Sequence, residues 1–242
     1  MPDSYFKVEL ISATPNPQQC IYAGMHQDYS EDFVADTIQQ WPNEKKSGEL
    51  CVKYLLMGER GHYGPLEHAQ IVLNVGWFPH SVMQQARTHR VGVSFDVQSL
   101  RYTSQRIVDV TLKKRPIEEV FYLRPVGKYR DRQGKHYSYT EEMRKMDLSR
   151  CFDAAGHYAY QLRQGMAEEQ ARGLIPFDIR QHFVVSFTLR AFLHFLDLRA
   201  KADAQDEIRA LCGLMWPHLQ QWTPEIAAWY HKTRWAKARL AP

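Results

Sequence analysis

Cysteine is scarce and scattered in this sequence. Cys20, Cys51, Cys151 and Cys212 are the four in 242 residues, with no C-x-x-C pair and no spacing suited to zinc. That argues against a disulfide framework and a structural metal, and the expectation is four buried thiols. Long apolar runs are also missing. Nothing approaches the ~20 uninterrupted apolar residues that a membrane span needs. The opening Met1-Pro2-Asp3-Ser4-Tyr5 has no basic segment leading into an apolar stretch, so the expected location is the cytoplasm, with no membrane partner. Charge is nearly balanced, 31 basic residues against 27 acidic, and local clusters therefore matter more than the net value. Three common signatures are absent as well: the G-x-G-x-x-G dinucleotide fingerprint, a phosphate loop ending in Gly-Lys-Ser/Thr, and a G-x-S-x-G elbow.

What is present suffices for a full core: 44% of residues are hydrophobic and 12% aromatic, and a single domain over residues 1–242 is the expectation. The order of elements reads as α+β, with an antiparallel or mixed sheet flanked by long helices. Phe6 to Ala13 alternates like an edge strand closed by Pro15 and Pro17. Ser30 with Phe33, Val34 and Ile38 predicts an N-capped helix ended by Pro42, and Leu50, Tyr54, Leu55 and Gly58 a second helix. Gln70 to Gly76 reads as a strand, and Pro79 opens a short helix to about Arg87. Arg90 to Tyr102 shows neither period and reads as a loop of the kind that carries function. Thr140-Glu141-Glu142 starts a long helix that Gly165 can end, and a shorter helix ends at Gly173. Phe183 to Thr188 reads as a strand, followed by helices near Arg190 to Arg199, Asp203 to Leu219 and Pro224 to Ala238.

Arginine and lysine gather at Lys113-Lys114-Arg115 and from Arg124 to Lys135. Tyr122, Tyr129, Tyr137 and Tyr139 interleave with the second cluster, as in a surface that tracks a polyanion, which keeps a basic nucleic-acid-binding protein open as an alternative. Against it, Asp131-Arg132-Gln133-Gly134 reads as a hairpin turn, making the cluster one protruding solvated loop.

Three segments hold the chemistry-bearing side chains. Gln84-Gln85-Ala86-Arg87-Thr88-His89-Arg90 and then Ser99-Leu100-Arg101-Tyr102 form an anion-binding inventory in which arginine, with its rigid fork of donors, is chosen each time. A surface salt-bridge network is the plainer explanation. In Thr188-Leu189-Arg190-Ala191-Phe192-Leu193-His194, Arg190 and His194 stand four apart on one face of an apolar helix. A charge there needs a partner: Asp197, Glu207, a phosphate or a heteroaromatic ring. Lastly, His62-Tyr63-Gly64-Pro65-Leu66-Glu67-His68 sits between a helix and a strand and lacks a third ligand at zinc-like spacing, so no metal is expected.

Together these segments resemble the flavin-dependent thymidylate synthases. Arg87-Thr88-His89-Arg90, eight residues, then Ser99 is similar to that family's Arg-His-Arg signature. Gly61 to His68 resembles its Gly-His-x-x-Pro-x-Glu-His block, Ala171-Arg172-Gly173-Leu174-Ile175-Pro176 its Ala-Arg-x-x-Leu-Pro block, and His194 to Arg199 its last block. The resemblance implies a homotetramer of α+β subunits with active sites at subunit interfaces, converting dUMP to dTMP with FAD, methylenetetrahydrofolate and NADPH. By position it implies that His89, Arg90, Arg190, His194 and Thr188 hold FAD, that His62, Gly64 and Glu67 line the flavin and folate side, and that Arg87 is shared. For dUMP it implies Gln84, Ser99, Leu100, Arg101, Arg172 and Arg199, with Arg199 polarising the uracil ring. Thr88 interrupts Arg-His-Arg, so the pair taking the family role is Gln84 with Arg87 or Gln85 with Thr88, and the first is chosen. Asp96-Val97, His194 and Asp203 stand where many relatives have Asn-Glu, asparagine and histidine.

The chemistry agrees with this reading. Methylating an electron-poor pyrimidine ordinarily takes a cysteine nucleophile in an electropositive setting, and none of the four cysteines lies in the arginine-rich blocks. Polarisation by Arg199 with electrons from a reduced flavin removes that need. The second alternative is a different nucleotide-dependent flavoenzyme.

Overall fold

The computed structural model describes residues 3–57, 62–131 and 133–237. Along the chain run β1 (Lys7–Ala13), α1 (Pro17–Gln27), a 3-10 turn (Val34–Gln40), α2 (Glu44–Cys51) continued by a π turn (Val52–Leu56), a 3-10 turn (Gly64–Glu67), β2 (Gln70–Pro79), α3 (His80–Ala86), β3 (Val93–Val97) and α4 (Gln105–Thr111). Then come β4 (Gly127–Arg130), β5 (His136–Tyr139), α5 (Glu141–Arg163), α6 (Glu168–Ala171), β6 (Arg180–Thr188), α7 (Leu189–Arg199), α8 (Asp206–Trp222) and α9 (Pro224–Thr233). The α+β class holds. A four-stranded sheet has the order β1-β2-β6-β3, and β4 and β5 form an antiparallel hairpin. No described helix is long and apolar enough to cross a membrane.

The chain divides into two compact units, each assembled from several stretches of sequence. The first comprises residues 1–7, 75–85 and 96–183. In its core Ile107 and Val110 of α4 meet Ala155 and Tyr158 of α5 with Val120, Phe121 and Ile179. Thr140 caps α5 by accepting from Met143 N, as anticipated, and Gly165 beyond its end takes φ +84. Arg180 is 2% exposed here. Its guanidinium donates to Trp77 O (2.8 Å), Glu118 O (2.7 Å) and Asp3 Oδ2 (2.6 Å) and lies over the rings of Tyr5, Phe6 and Tyr122. A buried cation with this many partners is a structural pin.

The second unit comprises residues 8–74, 86–95 and 184–242. Its core is aromatic where β6 turns into α7: Phe187 stacks on Phe192 at 5.0 Å, and Phe195 tilts against Phe187 at 5.3 Å. Each such ring contributes about 1.5–3 kcal/mol on burial. Asp197, on the inner side of α7, is held by Arg234 Nη2 (2.9 Å) and Tyr230 O–H (2.9 Å), so it ties α7 to the α9 end.

Several expectations fail locally. Ser30 does not cap a helix, because its hydroxyl and Asp32 close a small turn of their own; the segment beyond it is a 3-10 turn. Pro17 does more than close β1: it opens the unforeseen α1 from the first-turn position, where its missing N–H costs nothing. The second helix starts earlier, at Glu44, with Asn43 accepting from Lys46 N. Residues 90–102 are not all loop, since Val93, Phe95 and Val97 alternate along β3 at the edge of the sheet, and α4 follows unannounced. Gly58, Gly61, Arg132 and Ala238, named above for their sequence signals, lie outside the described residues.

Candidate functional site

In the second unit the last residue of α7 meets the stretch that follows α3. Arg199 Nε donates to His89 Nε2 at 3.0 Å, and Arg199 Nη2 donates to Thr88 Oγ1 at 2.7 Å. For His89 to accept at Nε2 its ring must be neutral, with the proton on Nδ1. The environment enforces this: burial, then the Arg199 charge, then His194 lower its pKa to about 4. His89 packs against His194 at 5.6 Å and Phe195 at 4.9 Å. His89 Nε2 and Thr88 Oγ1 are both uncharged acceptors, and their bonds orient the Arg199 guanidinium. Thr88, the residue that breaks the Arg-His-Arg pattern, thus has a definite partner that sequence reasoning missed; 111 residues separate the two.

Close by, Arg190 pairs with Glu67 at 2.7 Å. The partner sought for this helix is therefore neither Asp197, which belongs to Arg234 and Tyr230, nor Glu207, which accepts from Gln205. Glu67, Val91, Thr188, Arg190, Ala191 and His194 line a cavity of about 270 Å³. Thr188 caps α7, accepting from Ala191 N, and donates its own N–H to Gly92 O at 2.8 Å. Gly92 is required there twice over: it holds φ +67, and a Cβ would lie 2.5 Å from Thr188 Oγ1 and 3.0 Å from Ala191 Cβ. A lining that joins an ion pair to the apolar Val91 and Ala191 suits a polar heteroaromatic ring, so the residues present fit a flavin. Arg87 and Arg90 are exposed, and their side chains have no hydrogen-bond or ion-pair partner among the described residues.

His62 does not join this group. It bonds Asp28 at 2.9 Å and lines, with Tyr22, Met25, His26, Tyr29 and Tyr54, a cavity of about 700 Å³. Gly64 opens the 3-10 turn that carries Glu67, with nothing within 4 Å of a Cβ placed on it. No group of three or more His, Cys, Asp or Glu able to hold a metal exists among the described residues.

The first unit holds the other arginines. Ser99 opens a turn in which its hydroxyl accepts from Arg101 N and its carbonyl from the N–H groups of Tyr102 and Thr103; Leu100 lies inside that turn. Arg101 Nε bonds Glu169 at 2.9 Å, which ties the turn to α6, whose C-cap residue is Arg172. For Arg101 the salt bridge of the plainer reading is thus present, half exposed. Arg172 makes no such pair among the described residues, and its charge acts on the Tyr158 phenol. Gln84 is exposed and its amide meets His80.

Comparison with known proteins decides the family. The model of the family described as thymidylate synthase complementing protein matches residues 9–225. The curated flavin-dependent thymidylate synthase of Haloarcula marismortui is 32% identical over 97% of this chain and 99% of its own length. That of Halobacterium salinarum is 31% identical over 98% and 100%. The chain belongs to the flavin-dependent thymidylate synthase family. It is accordingly an enzyme of the methyltransferase class. Among solved structures, the UMP/dUMP methylase PolB from Streptomyces cacaoi bound with 5-Br dUMP superimposes with a TM-score of 0.72 at 21% identity, covering 100% of this chain and 99% of that one, which establishes likeness of fold. Cys51, Cys151 and Cys212 are buried as expected but Cys20 is only half-buried; burial raises the thiol of Cys51 to about 12 and that of Cys151 to about 11, and pushes those of Cys20 and Cys212 up as well. At neutral pH these groups are thiols, poor nucleophiles.

Proposed function

We propose that this chain methylates dUMP to dTMP, taking the carbon from methylenetetrahydrofolate, with FAD as redox cofactor and NADPH as reductant, in a cytoplasmic homotetramer whose active sites lie at subunit interfaces. The observation that carries the reading is the guanidinium of Arg199, aimed by neutral His89 and by Thr88. A fixed positive charge of this kind stabilises negative charge drawn out of a uracil ring, and it needs no reorganisation when that charge develops. Bound flavin supplies the electrons for the reduction. The protonated cysteines favour this route over thiolate addition.

In this reading Arg199 is catalytic and also contacts dUMP. His89, Arg90, Thr188, Arg190, His194 and Glu67 hold the flavin around the smaller cavity, Arg87 is shared with the nucleotide, and His62 and Gly64 face the folate side. Gln84, Ser99, Leu100, Arg101 and Arg172 bind dUMP, with Arg101 exchanging Glu169 for phosphate. The ligands named for the PolB structures, 5-Br dUMP and 5-Br UMP, support a uracil nucleoside monophosphate as substrate. In the rival nucleic-acid surface Tyr129 and Tyr137 stack on each other at 5.8 Å, and Arg124 lies over Tyr129.

The deciding assay measures dTMP formed from dUMP, methylenetetrahydrofolate and NADPH, with FAD withheld and then restored. Activity that appears only with FAD is expected. Protein that neither binds FAD nor forms dTMP would refute the proposal.

A further inference from the structure

We propose that Arg234, at the end of α9, is a positioning residue for Arg199: by gripping Asp197 it fixes α7 in the setting at which the Arg199 guanidinium meets His89 and Thr88. Its bearing on catalysis rests on the reading of Arg199 given above. Arg234 and Tyr230, which do the gripping, lie beyond residues 9–225, the stretch that the family model matches.

The grip takes both oxygens of one carboxylate. Arg234 donates from Nη2 to Asp197 Oδ2 at 2.9 Å and from Nε to Oδ1 and Oδ2 at 3.3 Å, and Tyr230 O–H donates to Oδ1 at 2.9 Å. The Asp197 side chain is fully buried and that of Arg234 is 12% exposed. A carboxylate out of reach of water holds such partners firmly, because releasing them strands its charge. The far end is fixed as well: Arg234 N and Trp235 N both donate to Tyr230 O, at 2.8 and 3.0 Å, and the Trp235 ring packs on Trp216 of α8 at 4.7 Å. Trp229 and Arg234 also line one small recess together with Arg190 and Leu193 of α7.

Asp197 and Arg199 stand two apart on α7. A helix turns about 100° per residue, so their side chains leave it about 200° apart, on nearly opposite sides. One side is tied to α9 and the other to residues 88 and 89. A helix end held on one side alone can roll and slide about that contact; held on both sides within about 3 Å of rise, it does neither. The Arg199 side chain has many rotamers, and two bonds to neutral groups select one of them only if its Cα stands in the right place. The buried ion pair supplies that fixed backbone, and Arg234 thus acts through Asp197 and α7.

The test reads the His89 tautomer at neutral pH by imidazole nitrogen NMR on the full chain without FAD, and dTMP formation on the full chain loaded with FAD. With Arg199 in place His89 Nε2 is bare and Nδ1 carries the proton; once Arg199 withdraws, nothing keeps Nε2 unprotonated and both tautomers appear. Arg199→Ala marks the signal of full release. Arg234→Met should show mixed tautomers and lower kcat by about 10- to 100-fold, with FAD still bound. Removing one partner of a buried pair also destabilises the fold, so the deciding variant joins Asp197→Leu to Arg234→Met, which strands no charge and leaves Tyr230 O–H the carbonyl of Leu193 at 3.5 Å. Its denaturation midpoint should stay close to that of the wild type, yet the mixed tautomers and the loss of kcat should persist. A double variant that keeps Nε2 bare would overturn the proposal whatever its activity, and so would wild-type protein that already shows both tautomers. Mixed tautomers with full activity would instead leave the clamp standing and overturn the reading of Arg199 as catalytic.

Discussion

Arg180 and Arg199 are both drawn into the body of their units, yet they are held in opposite ways. Arg180 spends three donors on two backbone carbonyls and the Asp3 carboxylate and lies over the rings of Tyr5 and Tyr122. Arg199 bonds an imidazole kept neutral by its surroundings and a threonine hydroxyl, and burial lowers its own pKa. The difference teaches that the partners, more than the depth of burial, decide what an arginine does. A carboxylate neutralises the cation and makes it a strut, whereas bonds to neutral acceptors orient a guanidinium without neutralising it.

The contrast can be broken by substitution. Arg180→Met should cost the first unit the most, about 3–5 kcal/mol, because it strands a carboxylate and two carbonyls; chemical denaturation would show this, and an unchanged midpoint would mean the pin is dispensable. Arg199→Ala should fold normally and retain FAD, yet lose on the order of 100- to 1,000-fold in kcat, as read by dTMP formation. An active variant would remove Arg199 from the chemistry.

Gly92→Ala should cost roughly 1–3 kcal/mol in the second unit, since the positive φ and the contact with Thr188 are strained together, and a melting curve is the check. The last effect concerns pH. The His89 ring titrates at about 4 in the folded chain against an ordinary value of 6.5. A depressed imidazole contributes stability above its unfolded value that is lost as pH falls from 6.5 through about 4, where the unfolded chain takes up the proton first. Melting temperature should therefore fall less over this window in His89→Asn than in the wild type. Parallel curves would mean that His89 is not buried as a neutral ring.

Much of the architecture is legible along the chain. The α5 helix shows its Thr140 cap and its Gly165 stop, the hairpin shows Asp131 and Gly134 between alternating residues, and α7 shows its apolar face. That face also shows that Arg190 needs a partner. Glu67 could not be singled out because it lies 123 residues away, and nothing local distinguishes it from Asp197, which is nearer in sequence but turned toward α9. β3 is hidden because five residues alternating at a sheet edge carry little periodic signal beside a polar turn.

Residue order by itself determined the class of elements, the four motif blocks and hence the family, because propensity, capping and spacing are local properties that need no neighbour in space. Only the tertiary structure decided which donor meets which acceptor. Hydrogen bonds act over about 3 Å, and contacts at that range between residues 100 or more positions apart are fixed by packing.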